Sequence, residues 1–141
     1  MKYKIILGLL LLSLVISITF VLSGNPAFCT AQEGCETVKN SEYAYTFGIN
    51  NGYYGIIIFA ILSKVLFLQI RNPSNRKRII LNLALLIGSL IALRFIYIQA
   101  FILESYCTSC LVIDISVLIS TILIIQKEIA DKRHKKERYK N

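Results

Sequence analysis

Four long stretches of this chain carry almost no charge, and the polar residues crowd into the segments between them. Residues 5–22 are uncharged throughout. Residues 52–70 are broken only by Lys64, residues 79–103 only by Arg94, and residues 111–126 only by Asp114. A bilayer core of about 30 Å needs about 20 helical residues to cross it, and backbone amides in hydrocarbon must be bonded internally. The pattern therefore predicts helices. The fourth run is short, but it spans if its helix starts near Cys107. The expected fold is an all-α membrane protein: a four-transmembrane-helix bundle with spans at 5–22, 52–70, 79–103 and 107–126, and a large extracytoplasmic loop after the first. Short turns after the second and third spans make helices two, three and four antiparallel neighbours.

Composition agrees. Of 141 residues, 55% are hydrophobic and only 17% are charged, too oily a balance for a soluble domain with so much surface per volume. One domain, 1–141, is expected. The first run resembles a signal peptide, with Lys2 and Lys4 ahead of it. It is longer than the usual apolar region of about 7–15 residues and lacks a small-x-small cleavage site, so it reads as a retained helix.

The net charge of +8 is concentrated at the ends of apolar runs: Lys2 and Lys4, then Arg71, Arg76, Lys77 and Arg78, then the tail 127–141. That distribution reports membrane orientation rather than nucleic-acid binding. Both termini and the 71–78 turn are expected in the cytoplasm. The loop 23–51, with one Lys and three Glu, and the turn 104–106 are expected outside. The basic tail reads as an orientation anchor touching anionic lipid.

All four cysteines fall on the expected outer side, where disulfides persist. Cys29 and Cys35 are separated by five residues in the loop, around Gly34. Cys107 and Cys110 form a CxxC where the fourth helix begins. Two intervening residues let both sulfurs meet within one helical turn, and the helix N-terminus favours the first thiol as thiolate, the species that attacks and leaves in disulfide exchange. The small loop closed by a 29–35 bridge would constrain little of the unfolded chain, which suits a mobile exchanging pair better than a staple. Two structural disulfides in a non-catalytic membrane subunit or scaffold remain the main alternative. A four-cysteine zinc site fits less well, because the spacings are only half right for a zinc ribbon.

The pattern resembles the vitamin K epoxide reductase family in its prokaryotic form. The likeness covers most of the chain: four spans, a Cys-x5-Cys pair after the first, and CxxC at the start of the fourth. Ser41 and Tyr43 follow Cys35 at the family's offset, and then come Phe47-Gly48-Ile49 and Gly55. The functionally analogous DsbB type carries its two pairs in the reverse order. The resemblance implies that Cys110 reacts with a quinone, that Cys107 is its disulfide partner, that Cys35 exchanges with Cys107, and that Cys29 meets the redox partner. It also implies that Ser41 holds the loop over the site. Many relatives carry a fused thioredoxin-like domain. This chain ends in a basic tail, so a separate thioredoxin-fold (DsbA-like) extracytoplasmic protein is expected as partner. Disulfide formation is expected rather than epoxide reduction, with membrane quinone (ubiquinone, menaquinone or similar) as electron acceptor and no metal.

Three further residues are candidates for a quinone pocket. Arg94 could lean on a quinone carbonyl, or instead snorkel outward or pair with Asp114 or Glu104. Asp114, four residues after Cys110, shares its helix face and could carry a proton or pair with Arg94. Tyr97 lies near the outer interface, where an aromatic belt anchor is the plainer reading, as it is for Tyr106.

Overall fold

The structure, a computed structural model, describes residues 2–23 and 32–138. Its elements in chain order are α1 (Lys2–Ser23), a short helix α2 (Gln32–Asn40), a 3-10 turn (Glu42–Ala44), strands β1 (Tyr45–Thr46) and β2 (Ile49–Asn50), α3 (Asn51–Arg71), α4 (Asn75–Tyr97) continuing through a π-helical turn (Ile98–Ile102), and α5 (Thr108–Arg138). Four helical segments are long and apolar enough to cross a membrane: Lys2–Leu22, Asn51–Arg71, Asn75–Ile102 and Thr108–Arg133. At 1.5 Å per residue, the 21 residues of α3 reach about 32 Å. The protein is thus an all-α membrane bundle. The last two helices outrun their apolar stretches at the basic end, α4 starting at Asn75 and α5 continuing to Arg138.

α1 packs on α3 and α5, and α4 packs on α3 and α5. The four long helices therefore form a ring in which each neighbour runs antiparallel. The basic ends gather at one end of the ring. Lys2 Nζ donates to Gln126 Oε1 at 3.2 Å, Arg78 pairs with Glu128 at 3.2 Å, and Lys127 lies over the Tyr3 ring. Cys107 and Cys110 lie at the other end.

The packed apolar core, including Ile6, Leu10, Leu62, Leu66, Leu81, Leu85 and Ile124, fills mainly the basic half. The outer faces are covered with exposed Ile and Leu, as a lipid-facing surface requires, while small hydroxyl residues turn inward. Ser17 donates to the Ser13 carbonyl at 2.9 Å. Thr121 donates to Val117 O on its own helix and, at 3.0 Å, to Leu85 O on α4. That last bond ties two spans together where no water competes.

The described part of the connection between α1 and α3, from Gln32 onward, is more ordered than an open loop. α2 buries Cys35 on one face of a short amphipathic helix. β1 and β2 form a two-residue hairpin with Phe47 and Gly48 at its tip, both with positive φ (54° and 79°). This is the backbone a tight hairpin demands and one that only glycine adopts freely. Asn51 anchors this region to α3: its Nδ2 donates to Tyr43 O at 2.8 Å, and its Oδ1 accepts from the Thr46 hydroxyl at 2.6 Å. Asn50 caps α3 through the Gly52 amide at 2.8 Å.

Candidate functional site: a cysteine rim above a membrane cavity

Cys107 stands immediately before α5 and caps it. Its Sγ accepts the Cys110 backbone N–H at 3.4 Å, the bond an N-cap oxygen ordinarily makes to the third helical residue. The Cys107 amide donates to Gln99 Oε1 at 2.9 Å. In a capping box that reciprocal acceptor comes from the third helical residue, whereas here the π-helical turn of the preceding span supplies it. The turn is closed by Leu103 N–H to Ile98 O at 2.9 Å, and Ser105 N–H reaches Gln99 O at 3.2 Å. Gln99 is buried and fixes the backbone on both sides of the turn that leads into Cys107.

Cys107 is fully buried and Cys110 half-buried, and both are free thiols, while Cys35 is disulfide-bonded. Cys107, just ahead of the spanning segment, has its thiol pKa lowered to about 7. Its hydrogen bond with the Cys110 side chain is the largest cause. Burial opposes it, and the backbone amides of Cys110 and Ser109 add to it.

Below the rim lies a cavity of about 430 Å³, within the range that takes a drug-sized ligand. Cys110 and Asp114 face it from α5, one helical turn apart, and Gln99 faces it from the π-helical turn. Ser41 and Asn51 line it from the connection after α1 and the start of α3. Its remaining wall is largely apolar, with Phe59, Leu85 and Phe95 among the contributors. One Asp114 carboxyl oxygen, Oδ2, is buried without a hydrogen-bond partner.

Ser41 donates through Oγ to Val38 O at 2.7 Å and so closes the C-terminal end of α2. The loop helix meets the rim on the Cys35 side. A Cβ built on Gly34 would stand 2.6 Å from the Tyr106 carbonyl oxygen. The residues immediately before Cys35 and Cys107 are therefore in backbone contact. Cys29, the expected outermost thiol, lies outside the described residues.

Two expected pocket residues are placed elsewhere. Arg94 and Tyr97 are exposed and do not line the cavity. The helical period explains it. α4 and its π-helical turn present Gly88, Ile91, Ala92, Phe95, Ile98 and Gln99 inward. Arg94 and Tyr97 each precede an inward residue by one, a rotation of about 100°. Tyr97 stacks on Phe101 instead, with ring centroids 5.0 Å apart. Arg94 forms no ion pair among the described residues, so neither Asp114 nor Glu104 is its partner there. The sequence reading did not single out Gln99 or Asn51. Both are amides at the ends of apolar runs on the cysteine side, the one signal available for them.

A search of curated proteins returns no match. The model of the Vitamin K epoxide reductase family matches residues 4–125, and the chain belongs to that family of membrane thiol oxidoreductases.

Proposed function

We propose that this protein is a quinone-dependent thiol oxidoreductase that generates disulfides for a separate thioredoxin-fold protein outside the cytoplasm. In this reading residues 1–141 act as one membrane domain, the basic ends face the cytoplasm, and the cysteine rim faces outward, following the distribution of Lys and Arg. The supporting observation is the backbone contact between Gly34 and Tyr106, the residues immediately before Cys35 and Cys107.

A thiolate of the reduced partner attacks the Cys29–Cys35 disulfide at Cys29, and Cys35 leaves as thiolate. A second partner thiolate resolves the mixed disulfide, so the partner departs oxidised and the loop pair is reduced. The Cys35 thiolate then attacks Cys107 of the oxidised inner pair. The 35–107 bond forms, the 107–110 bond breaks, and Cys110 leaves. Cys29 next attacks Cys35, restoring the loop disulfide and releasing Cys107, whose lowered pKa makes it a ready leaving group. The inner dithiol gives two electrons and two protons to quinone held against Cys110, and quinol departs. Asp114, with an unpartnered oxygen on the same cavity, is the proposed group for holding one of those protons. Ser41 keeps α2 closed over the site.

The reaction is tested with purified protein, a short-chain quinone and reduced thioredoxin. Wild type is expected to reduce quinone with matching oxidation of donor thiols, and Cys110→Ala to lose at least a hundredfold. A Cys110→Ala protein that turns over at the wild-type rate would end this assignment.

A further inference from the structure

Gly34 sits in the first turn of a nine-residue helix, where glycine is a poor choice. The sequence retains it where a Cβ would fall 2.6 Å from a backbone oxygen, 3.4 Å from the carbonyl carbon and 3.4 Å from the amide nitrogen of Tyr106. Real Cβ contacts do not come that close to a backbone carbonyl, and no rotamer change relieves a clash between a Cβ and a main chain. Any side chain at this position must lift α2 from the turn that carries Cys107, or push that turn aside. The turn has little freedom to yield, because it is held from beneath by Ser105 N–H to Gln99 O and by the Cys107 amide to Gln99 Oε1. α2 is the element that moves.

We propose that Gly34 is a positioning residue for disulfide transfer: its missing side chain lets Cys35 seat against Cys107, and it controls exchange between the two pairs while leaving the chemistry of the inner pair alone. This rests on the relay reading above. It adds that one backbone contact, at a residue bearing no functional group, sets the rate of the inter-pair step. In that step the 35–107 bond forms as the 107–110 bond breaks, and the electron pair passes to Cys110.

The experiment compares two donors with Gly34→Ala. Reduced thioredoxin enters through the loop pair. Dithiothreitol is small enough to reach the inner pair from the cavity beside Cys110. Thioredoxin-driven quinone reduction is expected to fall at least tenfold, with the dithiothreitol-driven rate staying within twofold of wild type. In parallel, a Cys29→Ser, Cys110→Ser background in native membranes leaves only Cys35 and Cys107, and mild oxidation traps the bond between them. Adding Gly34→Ala is expected to reduce the trapped form at least tenfold. Wild-type rates with both donors, an equal fall in both, or undiminished trapping would each overturn the role of Gly34. Failure of the relay reading is distinguishable: the 35–107 bond would then not form even with Gly34 in place.

Discussion

Cys107 uses its two polar groups in opposite directions, its sulfur accepting from the helix it caps and its amide donating to the helix before it. The first bond concerns charge. With its pKa lowered to about 7, the thiol is mostly thiolate above that pH and mostly protonated below it. Thiolate absorbance near 240 nm, measured with the loop pair oxidised and the inner pair reduced, should therefore disappear on acidification through about pH 7. Cys110→Ala removes the largest cause and should move that midpoint upward. An unmoved midpoint would place the cause elsewhere. The second bond concerns position. Gln99→Leu leaves the buried Cys107 amide without an acceptor, a loss of about 1–3 kcal/mol. Hydrogen exchange at the Cys107 amide is the direct measurement, and protection equal to wild type would show that Gln99 does not hold it.

At the scale of elements, the four spans, and with them the place of Cys107 and Cys110 at the start of the last one, were legible because lipid imposes a simple rule: about 20 apolar residues in a row or no crossing. The face shared by Cys110 and Asp114 was legible for the same kind of reason, a fixed helical period. Arg94 and Tyr97 entered as pocket candidates from their depth along the helix, without rotation around it. Counting from Cys110 and Asp114 fixes the inner face of α5, but nothing local fixes that of α4. α2 and the hairpin were illegible on other grounds. Nine residues are too few for a helix to persist alone, so α2 depends on the rim it docks against. The hairpin turns on Phe47 at positive φ, a residue that advertises no turn, and is secured by Asn51 from the following helix. Of the expected mobile loop pair, Cys35 is buried in a seated helix, and Cys29 lies outside the described residues.

Across the whole molecule, the ring of antiparallel helices separates basic ends from cysteines by the length of a span, so orientation can be read by labelling from one side. A membrane-impermeant maleimide applied to intact cells should label a cysteine introduced at the exposed Phe47, at the tip of the hairpin on the cysteine side, whereas a cysteine introduced at the exposed Lys132 should react only after permeabilisation. The opposite result would invert the proposed topology. The same axis divides the interior. Apolar packing is concentrated in the basic half, and the open volume lies in the half beneath the rim. Local opening is cheapest where few packed contacts must be broken. Cohesion and access are thus assigned to opposite ends of one bundle. The mouth can widen to admit or release a flat, greasy guest while the far end keeps the four helices in register.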